Sequence, residues 1–226
     1  MSIANIICQG RQGHLITDSG YFYPDGRIAF LRPKVLELPA LRVAIAARGK
    51  IYPREHLGPL IAHVSPTSLG ALLEVLPSLL FDVMDRSGAF RSSDNQLLFA
   101  TSLYATYFDP DRNRAGGLIL SSTREGMPDD YAPMTFLPVL EATAPGVDML
   151  DALGRDVDVT DPAAFDPARD GLAIAEAQRR DAWSFNGSVR GHFAAGDVRL
   201  TTVDAAGVRS RVLHRWPEGA GASVAA

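Results

Sequence analysis

Cysteine is almost missing from this chain: Cys8 is the only one in 226 residues. No disulfide can form within the chain. Its setting, Ile6-Ile7-Cys8, reads as a buried structural thiol. Long apolar runs are missing too, and nothing approaches the ~20 residues of a membrane-spanning helix. Residues 1–10 lack the basic start and long apolar stretch of a secretory leader, which makes the cytoplasm the expected compartment. Positive charge is not in excess: Lys and Arg total 22 against 26 Asp and Glu, a net charge of −4. That balance argues against a nucleic-acid binder, which carries a basic stripe. The five histidines, His14, His56, His63, His192 and His214, show no metal-ligand spacing. The clusters Asp109-Pro110-Asp111 and Asp156 to Asp161 read as solvated loops. Gly10-Arg11-Gln12-Gly13 reads as a hairpin turn and not as a phosphate loop. No metal and no cofactor is expected.

What is present is ordinary for a soluble globular protein: 46% hydrophobic and 21% charged residues. A chain of this length can bury roughly 70% of its unfolded surface. No repeat or composition shift divides it, so residues 1–226 read as one domain, with the small, polar segment 217–226 as a flexible tail.

Strand character opens the chain. Ile3 to Cys8 and His14 to Asp18 form a hairpin around residues 9–13. Tyr23-Pro24-Asp25-Gly26 is a turn. Lys34 to Leu38 and Arg42 to Ala47 form a second strand pair. Helical spacing follows over Arg54 to Val64. The Ser65-Pro66-Thr67-Ser68 segment offers a cap for a helix from Leu69 to Met84, in which Pro77 predicts a kink. Strands return at Gln96 to Tyr107 and Gly116 to Ser122. Short helices are expected at Phe136 to Ala142 and Gly146 to Leu153. A longer one is expected from Asp170 to Trp183, with Leu172, Ile174, Ala175 and Ala177 inward and Arg179 and Arg180 outward. Strands at Asp197 to Val203 and Val208 to Trp216 close the chain. Segregated blocks of strands and helices indicate an α+β layered fold.

Ser2 follows Met1, and a small second residue is what methionine aminopeptidases tolerate. Asp18 lies 16 residues after Ser2 and Lys34 lies 32 after it. A terminal hydroxyl with its own amine as base, a carboxylate and an ammonium can together hydrolyse amides. Taken singly each residue has a plainer reading. Asp18 before Ser19-Gly20 suits a turn that bonds the backbone. Lys34 suits a solvated strand end, and Asp181 and Ser184 suit the end of a helix.

Together these residues resemble the N-terminal-nucleophile hydrolases of the proteasome β-subunit and bacterial proteasome-like peptidase type. The resemblance rests on Ser2, on Asp18 ending the second strand, on Lys34 opening the third, and on Arg180-Asp181-Ala182-Trp183-Ser184. It covers residues 2–100 and about 170–216. It implies a four-layer αββα sandwich of two antiparallel sheets flanked by helices. Ser2 would be the nucleophile, Lys34 the cation that lowers the amine pKa, and Asp18 the group that orients Lys34. Asp181 and Ser184 would bond the terminal amine and hydroxyl. Backbone N–H groups around Ala46, Ala47 and Gly49 would stabilise the oxyanion. Tyr21, Arg32, Ala46 and Lys50 would shape the substrate pocket, and the two basic residues suggest an acidic or polar group there. The substrate would be a peptide or small amide. A homo-oligomer, as in the rings of that family, is implied; an unfoldase partner is not specified. Two departures stand out. The nucleophile is serine where the proteasome has threonine, and residues 125–146 contain no recognisable Gly-Ser-Gly element. The second departure keeps open a catalytically inactive structural or assembly subunit.

Overall fold

The computed structural model describes residues 3–23, 25–49, 51–86, 101–121, 134–137, 140–141, 152–181, 183–185 and 189–224. Fourteen strands are assigned among them. They are β1 (Ala4–Gln9), β2 (Gln12–Thr17), β3 (Gly20–Phe22), β4 (Ile28–Leu31), β5 (Leu36–Leu38), β6 (Val43–Arg48), β7 (Ser102–Asp109) and β8 (Arg114–Ser121). The rest are β9 (Met134–Leu137), β10 (Leu140–Glu141), β11 (Trp183–Phe185), β12 (Val189–Gly191), β13 (Asp197–Asp204) and β14 (Gly207–Arg215). The helices are α1 (Gly58–Val64), α2 (Leu69–Arg86) and α3 (Arg169–Arg180).

Two five-stranded antiparallel sheets form the body, ordered β10-β1-β2-β13-β14 and β5-β6-β7-β8-β9. Hairpins β3–β4 and β11–β12 stand apart. The alternation along each strand sorts the side chains. In β1, Ala4, Ile6 and Cys8 join a cluster with Ala44, Ala46, Tyr104 and Phe108 of the other sheet. Ile3 and Ile7 point the opposite way, to Ile174 and Ala175 of α3. In β6, Val43, Ile45 and Ala47 instead meet Leu57, Ile61, Leu72, Leu76 and Leu80 of the α1–α2 region. Close approach between the sheets depends on glycine. A Cβ at Gly13 would lie 1.9 Å from Thr106 Oγ1, and one at Gly117 would lie 2.8 Å from Ile6 Cγ2. Burial pushes the Cys8 thiol up to about 11, consistent with an inert structural role.

The early hairpin, the second strand pair and the closing strands stand where the sequence places them. Ser68 caps α2, its Oγ accepting from Ala71 N at 3.1 Å. The helix runs past Pro77 to Arg86 as one element.

Three expectations need correction. Phe136 and Leu137 belong to β9, and Leu140–Glu141 forms β10, so the helix expected at 136–142 is replaced by edge strands. Of the separate helix expected at 146–153, residues 146–151 lie outside the described residues, and Ala152 and Leu153 are helical. Helix α3 stops at Arg180, where Asp181 turns extended (φ −76°, ψ 132°), and Trp183 opens β11. Finally, Arg179 does not face solvent: its side chain is 13% exposed, ion-paired with Glu218 and stacked 4.5 Å over Trp216. Nearby, Ile28 N–H donates to Ala222 O at 2.9 Å and Gly221 N–H to Ile28 O at 2.7 Å.

Among the described residues, no helix is long and apolar enough to cross a membrane.

Candidate active site

The site is built where β2 ends. The strand alternation leaves Asp18 as the first residue beyond Thr17, with its side chain fully buried. A carboxylate buried there must be hydrogen-bonded or charge-paired, because an isolated charge in the interior is costly. Asp18 has both. Oδ1 accepts from Lys34 Nζ at 2.6 Å and from Ile3 N–H at 3.0 Å. Oδ2 accepts from Gly20 N–H at 3.0 Å and Ala195 N–H at 3.3 Å. The bond to Gly20 is the local turn that the Asp-Ser-Gly sequence suggests. The turn reading and the charge-pair reading of Asp18 therefore both hold.

Lys34 lies between β4 and β5 with its side chain 2% exposed. Burial pulls its ammonium below the usual lysine range, and the Asp18 carboxylate pushes back by attraction and hydrogen bonding. The Tyr21 ring covers the cation, its centroid 5.2 Å from Nζ. The Tyr21 hydroxyl is itself raised, by burial first and then by the Glu55 and Asp18 charges.

The segment before β13 closes the other side. Ser19 N–H donates to Ala195 O at 3.2 Å, and Asp197 N–H donates to Ser19 Oγ at 2.7 Å. Gly196 has φ +75°, and a Cβ there would sit 2.3 Å from Ser19 Oγ. Only glycine lets this loop lie so close to Ser19.

An aromatic wall stands beside Lys34. Tyr21 stacks on Phe30 at 4.6 Å and meets Tyr52 edge-on at 4.8 Å, while Tyr52 stacks on His56 at 5.3 Å. Arg32 lies 4.5 Å over Phe30 and pairs with Glu55 at 2.7 Å. The Arg32 charge, which the sequence offers to an acidic substrate group, is thus matched within the protein. Ala46 and Ala47 are buried near the end of β6, and Gly49 just past Arg48 has φ +119°, a conformation suited to glycine.

The structure brings Asp18 and Lys34 into direct contact and sets Tyr21 over the pair. Asp181 sits at the end of α3, half-buried, its N–H donating to Ala177 O at 3.2 Å. The Ser184 backbone pairs with Arg190 in the β11–β12 hairpin. Ser2, Lys50 and the Ser184 side chain lie outside the described residues and atoms. Sequence reasoning missed Ala195, Phe30, Tyr52 and Glu55. Residue 195 is far away in the chain and acts through its backbone, so no side-chain pattern advertises it.

Solved structures of similar fold are known. Anbu in its Gly-1 mutant form from Hyphomicrobium sp. strain MC1 superposes with a TM-score of 0.62 at 12% identity, over 94% of this chain and 87% of that one. Anbu, described as an ancestral β-subunit, from Yersinia bercovieri gives 0.60 at 11% identity, over 93% and 86%. The chain shares the fold of these two Anbu structures. At such identity the likeness concerns fold alone. No protein-family model matches the chain, and no curated protein sequence matches it.

Proposed function

We propose that this chain is a proteasome-like N-terminal-nucleophile hydrolase of peptide or amide bonds, with Ser2 as nucleophile once Met1 is removed. The observation that carries the reading is the bond from Ile3 N–H to Asp18 Oδ1, on the same oxygen that receives Lys34 Nζ. That N–H belongs to the peptide bond joining Ser2 to Ile3. A buried ammonium–carboxylate pair is thereby fastened to the residue next to the nucleophile.

The chemistry follows from this placement. The free α-amine takes the Ser2 hydroxyl proton as Oγ attacks the substrate carbonyl carbon. An α-amine has a reference pKa of about 8, and the Lys34 cation lowers it toward neutrality, so that the unprotonated base is present. Asp18 fixes Lys34 in position. The protonated amine then hands its proton to the leaving amine, and water hydrolyses the acyl-enzyme. Asp181 and Ser184 are proposed to orient the amine and hydroxyl. The antiparallel register sets Leu36 opposite Ile45, which supports a common location for Lys34 and the N–H groups between Ala46 and Gly49. Residues before Leu36 and residues after Ile45 run toward the same end of the sheet, and those N–H groups would hold the oxyanion. Tyr21, Arg32 and Lys50 are proposed to border the substrate.

The three buried clusters support an αββα order of layers: α1–α2, one sheet, the other sheet, α3. Assembly into a homo-oligomer, and a cytoplasmic location, belong to the same proposal.

Intact mass and labelling test the activity. The native-host protein should lack Met1, and an epoxyketone-type probe should add to Ser2 and fail to add to Ser2→Ala. Full retention of Met1 in the host would overturn the reading. A second reading, a catalytically silent subunit of this fold, is favoured by the missing Gly-Ser-Gly between 125 and 146. It is excluded by a Ser2-dependent adduct.

A further inference from the structure

On the face of β2 that looks toward α3 lies a cavity of about 360 Å³ that neither Asp18 nor Lys34 lines. Gln12, His14, Asp166, Thr202, Arg209 and Arg211 line it. The sheet register explains the gathering. His14 pairs with Thr202, and Thr202 pairs in turn with Arg209. Arg209 and Arg211 are two positions apart on β14 and so project from the same face, roughly 7 Å apart along the strand.

The charges in this cavity are unequally spent. Asp204, beside it, receives Arg209 at 2.7 Å, Ala206 N–H at 2.9 Å and Gln12 Nε2 at 3.3 Å. Asp166 Oδ1 receives the N–H groups of Ala168 and Arg169 at 2.8 and 3.3 Å, where the chain enters α3. Both acids are engaged within the protein. Arg211 is exposed and has no acidic partner among the described residues. His14 is 4% exposed, with Nδ1 3.1 Å from Thr202 Oγ1 and no hydrogen-bond partner for Nε2 among the described residues. With the Thr202 hydroxyl donating to Nδ1, a neutral ring carries its proton on Nε2. A buried donor left unpaired is unfavourable, so a partner there would be stabilising. The uncommitted groups at this cavity are therefore the Arg211 cation and the buried His14 Nε2, a combination that suits an acceptor-rich anion.

We propose that this cavity is a binding site for a compact oxyanion, a phosphate or a small carboxylate, held by Arg211 and the His14–Thr202 pair, with Arg209 and Gln12 adding only the N–H donors they do not give to Asp204. Arginine suits the role because its planar fork meets two oxygens at once. The site lies four residues before Asp18 on the same strand, roughly 13 Å along it. Its occupancy depends neither on Met1 removal nor on Ser2.

Isothermal titration of the full chain with inorganic phosphate and, separately, with succinate tests the site and separates its two chemistries. A parallel NMR titration follows the ring resonances of ring-labelled histidine. Saturable binding of at least one anion is expected, with the His14 signal moving along the same isotherm. Arg211→Gln changes an exposed strand residue and should fold, as circular dichroism will show. It should weaken binding about tenfold or more, the effect of one lost charge-assisted bond. Ser2→Ala should bind like the parent. Failure of both anions to saturate, equal affinity in Arg211→Gln, or a His14 signal that stays still while heat saturates would each overturn the proposal.

Discussion

Replacing Lys34 with methionine keeps the length of the side chain and removes its charge, leaving Asp18 in place with no exposed surface. Removing one partner of a buried ion pair usually costs about 3–5 kcal/mol, since the other charge is left uncompensated. Here the carboxylate would keep N–H donors from Ile3, Gly20 and Ala195 at 3.0, 3.0 and 3.3 Å. These donors solvate it in part, so the loss should fall near the lower bound, about 3 kcal/mol. Asp18→Asn makes the converse error, burying the Lys34 ammonium beside a neutral amide, and should cost a similar amount. The double variant buries neither charge. Its loss should be smaller than the sum of the single losses by about 2 kcal/mol or more, within the range seen for contacting pairs. Urea unfolding of the four proteins at neutral pH, followed by circular dichroism, gives the cycle directly. Single losses below about 1 kcal/mol, or losses that add within about 0.5 kcal/mol, would refute the idea that this pair is coupled and buried. The same four proteins separate stability from chemistry. The double variant should regain stability without regaining Ser2 labelling.

Stability should also respond to His14. Burial first, then Arg209, lower its pKa from 6.5 to about 4, so the folded state holds the ring neutral. This contribution is complete above pH 6.5 and is lost as pH falls through about 4, reaching about 3 kcal/mol there. The stability difference between the parent and His14→Gln, followed by urea unfolding from pH 7 to 4, should shrink by that amount; a flat difference would contradict it. A Cβ at Gly171 would fall 2.1 Å from Ile16 Cδ1, so Gly171→Ala should destabilise by about 1–3 kcal/mol. Adding Ile16→Val, which deletes that methyl, should recover part of the loss in the same melt. Arg179→Ala removes the Glu218 pair and the Trp216 contact and should speed proteolytic cleavage between 217 and 224, read by mass spectrometry.

The parts of the fold legible in the sequence are those whose signals are local. Ile3 to Cys8, with a glycine-bounded turn after it, could only be a strand of a hairpin, and Ser68 before an apolar helical face could only be a cap. Phe136 to Glu141 misled because a short apolar run has no period of its own, and pairing with β8 and β1 decided the matter. The contacts of the tail could not be read from its small polar residues. It is held by backbone bonds to Ile28 and by an ion pair to Arg179, neither visible in composition. At the site, Asp18 and Lys34 were legible through spacing and resemblance. The amide of Ala195 was not, since any residue could supply that donor.

That amide has a consequence for how the protein comes into being. The hydrogen bond from Ala195 to Asp18 spans 177 positions, and β2 takes its second neighbour, β13, from the same late part of the chain. Closing a loop of this size makes assembly non-local and slow compared with forming the first hairpin. While the chain is being synthesised, β2 waits with one edge unpaired, a surface that invites wrong strands and calls for protection. Asp18 acquires its full set of donors only when nearly the whole sequence has been delivered. A nascent or shortened chain would hold the residues of the site without its geometry, so any hydrolytic competence would arrive together with the finished fold.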